Sequence, residues 1–337
     1  MSIELTKIEP LSRVTQASAW GTGKLILFGE HAVVYGYPAL AVALPQGLKV
    51  TLAEHDDQSS SHSPSKKELT LAQSGIFQTL PEDEKKILGI ALNQAVSWIN
   101  SKGLSLTKNY TLEVKGALPF KVGLGSSAAL SVATLKALAA LHSHHWSNEE
   151  LFEGAMMMEK VFHQNPSGID HQVSIEGGAV YFKRESSGIT FSKQVINQPL
   201  HLVLTWGPRN GTTADAVHLV RERLQVYPHL QQQVLRRIED ITHQGQVALE
   251  YGALETLGEL LLSNHQELRH LGVVTTALND ACERFLELGA LGAKMTGAGL
   301  GGTCFGLFAT QEQAQKTAKI LSEEQRPCWQ ITLPAST

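Results

Sequence analysis

The chain is 337 residues long, 42% hydrophobic and 18% charged, with a formal net charge of −4. That balance is wrong for a disordered segment and leaves no basic footprint for nucleic acid, and no apolar run approaches the roughly 20 residues that cross a bilayer. The length exceeds what one hydrophobic core usually serves, so two domains are expected.

The N-terminal MSIELTKIEP lacks the basic-then-apolar pattern of a secretory signal. Strand-like runs lie at 24–28 (KLILF), 48–54, 110–116 and 178–184, and several of the chain's strand-like runs alternate apolar and polar residues. A low-complexity stretch at 55–68 (HDDQSSSHSPSKKE) cannot bury a core and reads as a solvated loop. Acids in the first turn and Gly103 at the end predict a helix over 81–103. Ser147 and Glu150 form a capping box that opens another helix, running to about His163. The polar segment 183–199 suggests a domain boundary near 190–200. Beyond it lie strands at 201–206, 302–309 and 329–333. Between the first two of these, 212–289 is nearly all helical in pattern, with breaks at Tyr227-Pro228, Gly252 and Gly272. Strands crowd the first half and helices the second, which is an α+β pattern. Cys282, Cys304 and Cys328 show no Cys-x-x-Cys pairing. They read as buried thiols of a reducing, cytoplasmic protein rather than a disulfide framework or a zinc site.

Four stretches carry chemistry. KVGLGSSAALS (121–131) places glycines and two serines ahead of an alanine-led helix. Helix N-terminal amides and close backbone approach suit a polyphosphate, and a serine hydroxyl there reaches a divalent cation. A dinucleotide fingerprint would need an acidic residue ending the next strand, which is absent, and no Gly-Lys-Ser/Thr follows for a Walker loop. The plain alternative is that Ser126 or Ser127 only caps the helix. In 23–41, a buried strand runs into Gly29-Glu30-His31. In 156–178, Glu159 shares a helix face with Phe152, Ala155 and Phe162. A carboxylate on an apolar stripe needs a cation or a buried salt bridge, and either partner would serve. The NPSGID segment then presents Asp170. In 294–309, four glycines in six residues precede an apolar strand, which is hard to justify unless the backbone meets a ligand or another loop. The histidines of HSHH (142–145) fall at a helix end, where they would favour the negative pole of the helix dipole, and MMM (156–158) reads as core.

GEHAVVYGYPAL (29–40), GLGSSAA (123–129), NPSGID (165–170) and KMTGAGLGG (294–302) resemble, in this order, the motifs of the GHMP small-molecule kinases. The likeness runs from about residue 20 to 309. The pairing of FGEHAVVYGYPA with NPSGID is most similar to the branch of that family that phosphorylates mevalonate. Galactokinase-like relatives continue differently after Gly-Glu-His, which argues against a sugar. Phosphomevalonate kinases, mevalonate 3-kinases and diphosphomevalonate decarboxylases remain as alternatives within the family, and a dinucleotide-dependent enzyme outside it.

The resemblance implies a two-domain α+β fold: a ribosomal protein S5 domain 2-like N-terminal domain (1–195) and a ferredoxin-like C-terminal domain (196–337). It implies ATP and mevalonate as substrates, Mg²⁺ as cofactor and a homodimer as assembly. Gly123, Leu124, Gly125, Ser126, Ser127 and Ala128 would form the ATP phosphate loop. Ser127, with Ser126 as the alternative, and Glu159 would hold the metal. Asp170 would face the attacking hydroxyl as base or orienting group, with Lys24 beside it and the transferring phosphoryl group. Glu30 and His31 would line the substrate pocket. Gly297, Ala298 and Gly299 would support the phosphate loop from the other domain. A basic turn of the family corresponds loosely to TWGPRNGTTADAV (205–217), which leaves contacts from Arg209, Thr212 or Thr213 open.

Overall fold

Two sheets divide the chain between them. The computed structural model describes residues 15–55, 69–72, 80–106, 108–120, 122–162, 167–185 and 188–336. Nearly all of the expected loop at 55–68 lies outside the described residues, as do His163, Asn165 and Pro166.

In the first sheet, β1 (Gln16–Phe28) pairs antiparallel with β2 (Ala39–His55), the two joined through a 3₁₀ turn at Ala32–Tyr35. One half of β2 pairs with β4 (Asn109–Gly116), the other with β5 (Ala179–Glu185). β3 (Leu69–Leu71) runs parallel to β4, and β6 (Gly188–Gln194) closes the far edge on β5. Both long strands begin well before the strand-like runs at 24 and 48. For β2 the reason is burial on two faces: Ala39, Leu40, Ala41 and Val42 are all fully buried, so that half of the strand shows a continuous apolar run instead of alternation. β6 escapes the pattern for the opposite reason. Its residues are mostly exposed, as an edge strand tolerates, so its polar sequence reads as a boundary.

Four helices pack on this sheet: α1 (Glu82–Ser101), α2 (Ser126–Leu141), α3 (Asn148–Phe162) and α4 (Ile169–Glu176). α1 keeps its acids, Glu82, Asp83 and Glu84, in the first turn, where the dipole favours them. The capping box of α3 forms as expected: Ser147 N donates to Glu150 Oε2 at 3.0 Å and Glu150 N to Ser147 Oγ at 3.2 Å. Met158 is buried in the core and Met157 packs against it. α2 is apolar on nearly every side and buried accordingly. That burial fixes where its N-terminus points.

The second sheet is antiparallel, ordered β10 (Cys328–Leu333), β7 (Leu200–Arg209), β9 (Gly301–Phe308), β8 (Gly292–Met295). Helices α5 (Thr213–Val226), α6 (Pro228–Tyr251), α7 (Leu254–Leu271), α8 (Thr276–Glu287) and α9 (Gln311–Glu323) cover it. The helical stretch breaks where expected, with Pro228 starting α6 and left-handed Gly252 (φ 68°) and Gly272 (φ 83°) ending α6 and α7. Cys282 and Cys304 are buried free thiols, but Cys328 is only half-buried because β10 is an edge strand. The main core runs across both sheets, joining Leu25 and Phe28 to Leu204 and Phe305. Thr296, just past β8, pins them together: its hydroxyl donates to Ile26 O and accepts from Ile26 N, both at 3.1 Å. Among the described residues no helix is long and apolar enough to cross a membrane.

Candidate active site

α2 begins without a side-chain cap. Its N-cap is Gly125 in the left-handed region (φ 74°), which sets aside the reading of Ser126 or Ser127 as a cap. The first backbone bond of the helix runs from Ala129 N to Gly125 O (2.9 Å), so the amides of Ser126, Ser127 and Ala128 have no partner within the helix. These amides and the positive end of the dipole form an anion-binding corner. The side chains of Leu124 and Ala128 are buried, so both residues offer backbone only. The glycine loop before β9 stands behind this corner. A Cβ on Gly297 would lie 3.3 Å from Gly123 O, and Thr303 Oγ1 donates to Val122 O at 2.8 Å. The expensive glycines thus have a use, since they let two loops from different sheets touch.

Lys24 lies in the buried part of β1. Its amide donates to Leu124 O at 3.0 Å, and its stem crosses Gly125, where a Cβ would come within 2.8 Å of Lys24 Cγ. Its ammonium reaches Asp170 Oδ1 at 3.2 Å; the lysine side chain is 4% exposed, the aspartate 30%. Asp170 sits in the first turn of α4, after left-handed Gly168 (φ 90°). Glu159 of α3 is buried and accepts a hydrogen bond from Ser127 Oγ at 3.1 Å. Its other oxygen lies 3.3 Å from Nε2 of buried His171. Ser126 is buried, and of the two serines it is Ser127 that reaches Glu159. The out-of-place carboxylate therefore lies between a serine hydroxyl and an imidazole. His171 carried no sequence signal beyond following Asp170.

The serine and the carboxylate suit a hard divalent cation. Metal–oxygen bonds of about 2.0–2.1 Å at right angles put neighbouring ligand oxygens about 3 Å apart. Ser127 Oγ and Glu159 Oε1 already stand at 3.1 Å.

Glu30 and His31 follow β1 and are both buried. Glu30 forms an ion pair with Lys294 of β8, a residue absent from the expected site. Burial pushes the Glu30 carboxyl above its ordinary pKa, with Lys294 opposing that rise, and burial pulls the Lys294 ammonium below its own, with Glu30 opposing. His31 has a positive φ of 62°, unusual for a non-glycine residue, and its Nε2 bonds Ala298 O at 2.9 Å. Desolvation lowers its pKa to about 4, with the bond to Ala298 opposing.

Of the residues left open in 205–217, Thr212 is engaged as the cap of α5, in a capping box with Asp215. Thr213 is the first residue of that helix. Arg209 differs from both. Nε and Nη2 of its guanidinium are buried and find no hydrogen-bond partner among the described residues, and burial lowers its pKa despite the nearby Asp215. Of the histidines after α2, His142 has its pKa pushed down by burial and by neighbouring His144, which works against a positive charge at that helix end.

A helix N-terminus backed by a second glycine loop, with a lysine–aspartate pair and a serine–glutamate pair beside it, is the arrangement of a small-molecule kinase. Residues 90–178 match the family model for the GHMP kinases N terminal domain, and residues 246–326 the model for GHMP kinases C terminal. The chain belongs to the GHMP kinases, and it has their two-domain fold. Within the family, the chain is similar to mevalonate kinases. The mevalonate kinase of Thermococcus sibiricus is 30% identical over 312 residues, 88% of this chain and 90% of the relative. That of Methanothermobacter thermautotrophicus is 31% identical over 288 residues, covering 86% and 89%. The crystal structure of L. major mevalonate kinase in complex with R-mevalonate aligns with a TM-score of 0.82 at 26% identity, covering 98% of this chain and 99% of that one.

Proposed function

We propose that the chain transfers the γ-phosphoryl group of ATP to the primary 5-hydroxyl of mevalonate. The observation that carries this reading is the Lys24–Asp170 pair at 3.2 Å, its carboxylate open to solvent and its lysine stem laid across the N-cap glycine of α2. One lysine thereby links the phosphate corner to the group that receives the acceptor hydroxyl.

The 123–128 loop holds the phosphates through backbone amides, with the second glycine loop keeping it in place. Ser127 and Glu159 are the residues that would hold Mg²⁺, which when bound neutralises charge on the β- and γ-phosphate oxygens. Phosphoryl transfer passes through a loose transition state, so the protein contributes mainly position and charge. Asp170 orients the hydroxyl and accepts its proton as the new oxygen–phosphorus bond forms and the bond from the γ-phosphorus to the β–γ bridging oxygen breaks, with ADP as the leaving group. Lys24 stands between that carboxylate and the moving phosphoryl group. Glu30 and His31 form the wall of the acceptor pocket. The unpartnered guanidinium of Arg209 is suited to the carboxylate of mevalonate, which it would receive bidentately.

The test is an ADP-release assay across mevalonate, its mono- and diphosphates, galactose and free ATP. Turnover with mevalonate at least tenfold above every other acceptor is expected. A preference for a phosphorylated acceptor would move the chain to another branch of the family. The same reading takes 1–195 and 196–337 as the two domains, the cytosol as the compartment and a homodimer as the assembly. Sedimentation equilibrium at a dimer mass is the expected result for the last.

A further inference from the structure

Outside the residues already given roles, His171 is the buried polar group whose surroundings demand the most explanation. Its side chain is 1% exposed, and Nδ1 finds no hydrogen-bond partner among the described residues. Nε2 makes no aligned hydrogen bond either; what it has is an ion-pair contact, Glu159 Oε2 at 3.3 Å. A buried imidazole left without a partner is costly, so a position that keeps one facing a single carboxylate calls for a use.

The two oxygens of Glu159 are divided. Oε1 accepts from Ser127, on the side of the phosphate corner, and Oε2 faces His171. The imidazole also comes from the same short helix as Asp170, one residue along, and so about 100° around its axis. α4 therefore sends one side chain to Lys24 and the next to Glu159. We propose that His171 is a positioning residue for the metal-binding carboxylate: with its ring proton on Nε2, the 3.3 Å contact keeps Oε2 of Glu159 on the α4 side and leaves Oε1 turned to Ser127 and the cation. This rests on the reading of Ser127 and Glu159 as the metal-binding pair. A ligating carboxylate that is free to rotate binds its cation less well, and loss of such an outer partner typically weakens metal affinity about 10–100-fold. Because the same helix carries Asp170, the contact also ties the orientation of the metal ligand to the position of the group facing the acceptor.

The experiment uses the full chain with a non-hydrolysable ATP analogue and Mn²⁺ as probe, its binding followed by electron paramagnetic resonance. His171→Leu removes the donor, and Mn²⁺ affinity is expected to fall about 10–100-fold. His171→Gln places an N–H near the position of Nε2 and should restore affinity close to that of the unaltered chain. A role in packing alone would not distinguish the two variants in this way. Glu159→Gln separates the layers of the argument: if it leaves Mn²⁺ binding unchanged, the metal-site reading itself fails. If it weakens binding while His171→Leu does not, only the role of His171 is overturned. Should His171→Leu fail to fold, ¹⁵N-histidine spectra of the unaltered chain decide the point. A ring proton on Nε2 is expected, and one on Nδ1 alone would overturn the proposal.

Discussion

Two buried lysines, Lys24 in the first sheet and Lys294 in the second, are each paired with a carboxylate, and the two pairs differ in how open they are. Lys294 and Glu30 are both sealed, at 0% and 1% side-chain exposure, and they join β8 of the second sheet to the end of β1 in the first. Lys24 is nearly as buried, but Asp170 keeps 30% of its side chain open. The sealed pair holds two sheets together with neither charge open to solvent. A half-open pair leaves carboxylate lone pairs free for an incoming hydroxyl while the lysine stays fixed by the fold. The contrast separates architecture from chemistry more sharply than either pair does alone, and four perturbations break or sharpen it.

The largest effect is expected at the open pair. Asp170→Asn keeps the size and an acceptor for Lys24 but removes the base, and kcat should fall about 10²–10⁴-fold. Its unfolding free energy should change by less than about 1 kcal/mol, since a third-exposed partner contributes little to stability. A kcat within a few-fold of the unaltered chain would remove Asp170 from the chemistry.

Lys294→Met reverses the pattern. It strands Glu30 in a sealed site, and breaking such a pair on one side typically costs about 3–5 kcal/mol. Urea unfolding should show a loss of that order. The double variant Glu30→Gln with Lys294→Met should regain most of it, because no charge is left buried. If the single variant is as stable as the unaltered chain, the sealed pair is not the pin between the sheets.

The third perturbation is pH, through His31, which ties the residue next to Glu30 to Ala298. Its folded pKa of about 4 lies below the unfolded value of 6.5. Between those values the unfolded chain binds more protons than the native one. The stabilisation is therefore complete above pH 6.5 and is lost as pH falls toward 4, by about 3 kcal/mol at the limit. His265, also lowered to about 4, adds a slope of the same sign. Chemical unfolding at pH 7, 6, 5 and 4 should show this decline, and His31→Gln should flatten part of it. An unchanged slope in that variant would assign the effect elsewhere.

Where glycine, serine and charge had to coincide at short range, the sequence was legible: the 123–128 loop, the glycine-rich 297–302 loop, Glu159 and Asp170 could all be picked out before any fold was known. Glu159 and the glycine loops break local rules, such as a carboxylate on an apolar face or glycines before a strand, and such breaches are readable signals, whereas Asp170 was marked by the NPSGID motif. Lys294, His171 and Arg209 were not legible in the same way. Lys294 sits in a four-residue strand that looks too short to count, and only the sheet order brings it to Glu30. His171 acquires meaning from a helix twelve residues earlier, and Arg209 from what fails to reach it. Long-range pairing decides all three, and no window of local periodicity contains it. The early half of β2 was hidden for a related reason, since burial on both faces erases alternation.

The smallest effect concerns how Lys24 is held, and it compares the two glycines of the phosphate loop. Both have positive φ, 91° at Gly123 and 74° at Gly125, so alanine at either strains the backbone by about 1–3 kcal/mol. Their surroundings differ. A Cβ at Gly123 meets nothing closer than 3.5 Å, whereas one at Gly125 comes within 2.8 Å of Lys24 Cγ. The lysine stem is flexible and will move, which limits the added cost in stability but carries its ammonium away from Asp170. Gly123→Ala and Gly125→Ala should therefore lose similar stability, while only Gly125→Ala loses kcat beyond what weaker ATP binding explains, on the order of tenfold. Equal kcat in the two variants at saturating ATP would mean that the position of Lys24 does not set the rate, and the open pair would then owe its effect to Asp170 alone.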